Sequence, residues 1–124
     1  MNLQNLTLKT QEVLQRAQQL AQEYTHQQIE NSHILKAIFE VDENVTPFIF
    51  KKLGINIEMV KSINDKNLSS YAKVSGGEIS FSNNASKMIN SALIEAKKLK
   101  DEFVTIEHLF SFKPELTHAT LVIE

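Results

Sequence analysis

The sequence contains no cysteine, which excludes a disulfide frame and any thiolate-held metal. The simplest compartment for such a chain is the cytosol. Glycine and proline are scarce, three and two in 124 residues, and this argues against an all-β or low-complexity chain. No stretch approaches the roughly 18 apolar residues that a membrane span needs. The N-terminal MNLQNLTLKT also lacks the apolar centre of a secretory signal. A basic surplus is missing as well: 13 Lys and Arg stand against 15 Asp and Glu, for a net charge of −2. Neither nucleic acid nor a membrane surface is therefore an expected partner. The pairs Lys51-Lys52 and Lys97-Lys98 read as solvated helix faces. No G-x-x-x-x-G-K-S/T loop and no G-x-S-x-G element occurs, and the SGGE at 75–78 is too short to hold a phosphate and reads as a linker. The four histidines, His26, His33, His108 and His118, do not make a zinc set. Nothing in the chain indicates an enzyme.

What is present is helix-forming: Gln, Glu, Lys, Leu and Ala abound. Val13, Leu14, Ala17, Leu20, Ala21 and Tyr24 share the spacing of one helical face, with Thr7 as the N-cap. A second helix is expected from about Glu30, carrying Ile34, Leu35, Ile38 and Phe39. A third follows in NVTPFIFKKLG, with Thr46 as cap, Pro47 in the first turn and Gly54 closing it; Phe48, Ile49, Phe50 and Leu53 are expected to be buried. A fourth, NIEMVKSINDK at 56–66, begins at the cap Asn56 and buries Ile57, Val60 and Ile63. Residues 69–81 interrupt the pattern. Helix then resumes after the cap Ser82, with Met88, Ile89, Ala92, Leu93, Ala96 and Leu99 as its stripe.

A shift of 75 positions superposes the two ends of the chain. Leu6 falls on Phe81, Thr7 on Ser82, Val13 on Met88, Leu14 on Ile89, Ala17 on Ala92 and Ala21 on Ala96. Past the helix, Ile29 falls on Val104, His33 on His108, Ile34 on Leu109 and Leu35 on Phe110. Periodicity alone would not align caps and junctions as well as stripes, so the chain carries an internal repeat. One copy cannot bury its apolar face alone, and the two copies should stack. The expected division is one domain: a first repeat at about 1–68, a linker at about 69–81, a shortened second repeat at about 82–112 and an atypical tail at 113–124.

The paired features, a Thr or Ser cap, an A-x-x-x-A helix face and an Ile/Val-x-x-x-His-Ile/Leu junction, resemble the amino-terminal domain of the Clp-family AAA+ unfoldases. ENVTPFIFKKLG and KVSGGE are similar to the ClpB disaggregating branch, and the likeness covers about residues 1–112. It implies an all-α fold of two pseudo-twofold-related helical repeats, here with the second incomplete. It implies a non-catalytic docking domain for unfolded or aggregated polypeptides, with Clp adaptors or a DnaK-type chaperone system as further partners. ATP and magnesium belong to ATPase modules elsewhere in such proteins, so no cofactor is expected in this chain. The positions linked to client handling map onto Thr7, Asp101 and Glu107. Each has a structural reading too: Thr7 as a cap, Glu107 as a charge in a helix first turn and Asp101 as a solvated loop carboxylate.

The chain departs from that pattern twice. After Phe112 it reads KPELTHATLVIE, where two further helices would match residues 44–65. A shifted reading frame or a shortened natural form would give such an ending. Leu109, Phe110 and Phe112 would then form an open apolar face, favouring self-association or a tail folded back as cover. Relatives of the ClpC type bind phosphorylated arginine through a Glu just before the His in each half. This chain has Glu107 in one half but Ser32 in the other, so that activity does not carry over. A stand-alone regulator or adaptor-binding protein of a Clp protease complex is the alternative function, and a helical dimerisation domain a third. His33 and His108 are expected to order their loop–helix junctions, His26 and His118 to be exposed. Phe48, Phe50, Tyr71, Phe81, Phe103, Phe110 and Phe112 are core or groove candidates.

Overall fold

The computed structural model describes residues 6–74 and 76–98. Among these residues five helices and two very short strands follow one another: α1 (Leu8–Glu23), β1 (Gln28–Ile29), α2 (Asn31–Val41), α3 (Val45–Leu53), α4 (Ile57–Ser70), β2 (Ser80–Phe81) and α5 (Asn83–Lys98). The all-α class holds, with a strand pair that periodicity does not announce.

Helix starts follow the capping residues. The Thr7 hydroxyl accepts the Thr10 N–H at 3.2 Å, and the Ser82 hydroxyl accepts the Ala85 N–H at 3.1 Å. Equivalent residues thus open α1 and α5 in the same way. Asn56 opens α4 by accepting from the N–H groups of Glu58 and Met59. Thr46 does not cap α3. That helix begins at Val45, two residues before the expected start at Pro47, and Asp42 supplies the cap: its carboxylate takes the N–H groups of Asn44, Val45 and Thr46, and the Thr46 hydroxyl donates to it at 2.7 Å. Burial alone would push this carboxyl up. The hydrogen bonds from Thr46, then Asn44 and Val45, outweigh it and hold Asp42 down at about 2.

Two helix ends use a left-handed residue. Gly54, at φ 70°, closes α3, with the Ile55 N–H reaching the Phe50 carbonyl at 2.9 Å. Thr25 performs the same turn after α1 at φ 56°, with the His26 N–H on the Ala21 carbonyl at 2.8 Å. A β-branched residue is strained there, whereas glycine is not.

The main core joins the two halves. Val13, Leu14, Ala17, Leu20 and Ala21 of α1 meet Ile34, Ala37 and Ile38 of α2 and Ala85, Met88, Ile89 and Ala92 of α5 in one cluster. The related helices α1 and α5 therefore bring matching faces to a shared interior, α5 packing on α2. A second, smaller cluster of Leu35, Phe50 and Val60 fastens α3 and α4 to the other side of α2. The expected burial of Phe48 and Leu53 is not found: they are 64% and 65% exposed, and Lys52 lies over the Phe48 ring. Nine residues of α3 can turn only one face inward, and Thr46 and Phe50 with part of Ile49 take it. α4 runs four residues beyond Lys66. Its buried line is Val60, Asn64 and Leu68, while Ile57 and Ile63 are half-buried.

β1 and β2 pair in parallel, Gln28 opposite Ser80 and Ile29 opposite Phe81. This ladder continues into the cap: the Ser82 N–H donates to the Ile29 carbonyl at 3.0 Å. The first half is thus stitched to the start of α5 directly beside the main core.

Candidate functional site

Of the three residues that the resemblance singled out, Thr7 is described; Asp101 and Glu107 lie outside the described residues, as do His108, His118, Phe103, Leu109, Phe110, Phe112 and the tail at 113–124. Thr7 sits at the N-terminal end of α1, half-buried, and its hydroxyl is engaged with both the N–H and the hydroxyl of Thr10. Its capping role is evident, and its side chain is partly exposed.

The opposite end of α1 carries the most elaborate polar arrangement. The left-handed turn at Thr25 drives His26 inward, so that this residue, expected at the surface, is only 4% exposed. His33 is completely buried. The Glu30 N–H donates to His33 Nδ1 at 2.8 Å, closing a capping box at the start of α2. His33 Nδ1 must then be an acceptor, and its Nε2–H donates to His26 Nδ1, 2.8 Å away. By the same logic His26 keeps its hydrogen on Nε2, a buried donor without a partner among the described residues. Burial, and then the neighbouring His26, push His33 down to about 4. Burial and then Lys73 lower His26 as well. Both rings are therefore neutral at physiological pH. The ordering role expected for His33 is present.

Aromatic and polar neighbours fix the pair. Tyr24 stacks on His26 with ring centroids 5.4 Å apart, and Tyr71 meets His26 edge-on. The Ser32 hydroxyl is bonded to the Tyr71 hydroxyl at 3.0 Å, and Asn64 donates to the Ser32 carbonyl at 2.9 Å. Ser32 is thus committed to joining α2, α4 and the linker. Burial raises the Tyr71 hydroxyl, with the Ser32 bond opposing it.

The linker then crosses this cluster. The Val74 N–H donates to the Thr25 carbonyl at 2.8 Å, and Gly76 and Gly77 adopt φ values of 84° and 91° that turn the chain toward β2. Between the linker and the end of α1 lies an open cleft of about 690 Å3, lined by Gln18, Gln22, Thr25, His26, Gln27, Val74 and Gly76–Ile79. Sequence reasoning missed it because neither wall is distinctive by itself, one being polar and the other carrying Val74 and Ile79; only the turn at Thr25 and the ladder at β2 bring them together. Among the described residues no group of acidic, histidine or cysteine side chains could hold a metal ion. No helix among them is long and apolar enough to cross a membrane.

Comparison with known proteins agrees with this architecture. The profile of the Clp repeat (R) N-terminal domain matches residues 5–111. The chaperone protein ClpB of Bacteroides thetaiotaomicron is 44% identical over 109 residues, 88% of this chain. The chain spans only 13% of that relative's length. The crystal structure of the Hsp104 N-terminal domain from Candida albicans superposes with a TM-score of 0.85 at 16% identity, covering 97% of this chain and 82% of that one. A structure described as a peptide from the EAEC type VI secretion protein SciI superposes at 0.84 with 17% identity, covering 94% and 74%. These two likenesses bear on the fold, and the profile match bears on descent: the chain belongs to the Clp repeat N-terminal domain family.

Proposed function

We propose that this chain is the substrate- or adaptor-docking domain of a ClpB-like, ATP-dependent disaggregating chaperone of the cytoplasm, and that it performs no catalysis itself. The observation that carries the reading is the family match over 5–111 together with 44% identity to a ClpB. A neighbour of the same fold that is described by a peptide from a secretion-system protein supports polypeptide docking. ATP and magnesium would act in ATPase modules outside this chain, and a DnaK-type system would be reached through the parent protein. Domain boundaries follow the repeat: residues 1–68 and 82–112 flank the linker.

In this reading, unfolded or aggregated segments settle on the seam between the related helices. Apolar contact supplies most of the affinity, and Thr7, Asp101 and Glu107 act as polar anchors. The test is titration of the chain with reduced, carboxymethylated α-lactalbumin, a soluble unfolded protein. Thr7→Ala and Glu107→Ala should each weaken binding several-fold. Thr7→Ala also removes a helix cap at a cost of about 1 kcal/mol. Thr7→Asn keeps a capping side chain but changes the anchor, and so separates stability from binding. Parent-like binding by both Thr7→Asn and Glu107→Ala rejects the anchors, and an inert chain rejects the docking role.

A further inference from the structure

Helix α1 carries a pattern that its core face does not explain. Gln11, Gln15, Gln18 and Gln22 are all exposed and recur at i, i+4, i+7 and i+11, one straight line along the helix. This line lies on the flank opposite Arg16, which is occupied by Glu23 and by Glu40 of α2. It carries no charge, starts one turn from Thr7, and ends in the cleft at Gln18 and Gln22. Gln11 donates to the Leu6 carbonyl, whereas the carboxamides of Gln15, Gln18, Gln22 and Gln27 bond to no other described residue. At the end of the line His26 lines the same cleft, 96% buried, its Nε2 donor lacking an acceptor among the described residues.

We infer that this glutamine line and the cleft beside His26 form a track for the main chain of an extended client segment. The inference rests on the docking role proposed above and adds a second contact at the far end of α1. A carboxamide offers a donor and an acceptor, the complement of a peptide group, and an unfolded segment is the ligand that presents unpaired peptide groups in series. An uncharged line reads no particular side chain, which suits clients of varied sequence. His26 Nε2–H is the donor in this cleft that a client carbonyl would satisfy, and Val74 and Ile79 offer apolar contact on the linker wall. Thr7 and Gln22 are fifteen helical residues apart, about 22 Å. About seven extended residues cover that distance, so a short peptide can occupy one end only.

The experiment uses the full chain with carboxymethylated α-lactalbumin as probe, in about 0.05 and about 0.5 M sodium chloride. The triple variant Gln15→Ala, Gln18→Ala, Gln22→Ala changes only exposed positions to the best helix former, and circular dichroism should show parental helix. Its affinity should fall at least about fivefold, while salt changes the parent's affinity less than about twofold. In 15N spectra the probe should move the glutamine side-chain NH2 signals and the His26 ring nitrogens. A triple variant that binds like the parent, with those signals unmoved, overturns the track and leaves the docking role standing. A chain that binds no probe overturns both. Loss of a chain dimer in sedimentation, with probe binding unchanged in the triple variant, would assign the line to self-association and overturn the inference.

Discussion

Acidification from pH 7.5 to 4.5 should destabilise this protein through one buried ring. His33 is fully buried, and its folded pKa is about 4 against 6.5 for the free side chain. A proton on Nδ1 requires breaking the Glu30 N–H bond, and a proton on the pair's other site breaks the bond to His26. Below pH 6.5 the unfolded chain therefore binds a proton that the folded chain refuses, so stability is full above 6.5 and falls as pH drops toward 4. Integrating between the two pH values gives a loss of about 2.5 kcal/mol, a large share of the ~5–15 kcal/mol of a typical domain. His26, also lowered, adds in the same direction. Asp42 does not confuse the measurement, because its stabilisation is lost only as pH falls from 3.8 toward 2. Urea unfolding followed by circular dichroism at four pH values measures the effect. His33→Gln provides the control, since glutamine at this helix position can still accept the Glu30 N–H but does not titrate. The variant should lose some stability at pH 7.5 and show a much flatter profile down to 4.5. A parent profile that is flat, or a variant profile as steep as the parent's, refutes the argument.

Other perturbations follow from the packing and the turns. Thr25→Gly should stabilise by about 1 kcal/mol, because relief of the left-handed strain exceeds the added chain entropy; Gly54→Ala should cost about 1 kcal/mol for the opposite reason, since its surroundings leave room for a methyl group and only backbone strain is added. Both are read from chemical unfolding midpoints. Asp42→Ala strips the cap from α3 and should cost about 2–3 kcal/mol in the same assay. Ile89→Ala, in the α5 face of the shared core, should cost about 2–4 kcal/mol, whereas Phe48→Ser, on exposed α3 surface, should stay within about 0.5 kcal/mol.

Local chemistry was legible in the sequence; chain reversals and distant partners were not. Thr7, Asn56, Ser82 and Gly54 are recognisable because capping and left-handed turns depend on a few adjacent residues. The stripe of α1 and its copy in α5 could be read at a distance of 75 positions because duplication repeats the period. The α3 cap was missed because Asp42 reaches forward over a loop, and the four-residue spacing from Asp42 to the buried Thr46 was the available signal. The end of α4 was missed because a polar residue, Asn64, occupies a core position, its amide satisfied by a carbonyl 32 residues away. His26 offered no periodic cue at all. It lies in a loop, and only the threonine turn before it and the ring of His33 behind it make burial tolerable. The strand pair depends on main-chain groups, which any side chains could have carried. At the two ends of α1, the Thr7 cap was legible and the cleft was not, for the same reason.

Helix α2 has apolar neighbours on two sides: Ile34, Ala37 and Ile38 look toward α1 and α5, and Leu35 looks toward Phe50 and Val60. Such an element has no spare rotation, because a twist that improves one contact withdraws side chains from the other. A pull on the seam would therefore be felt at α3 and α4, a whole helix away from where it was applied.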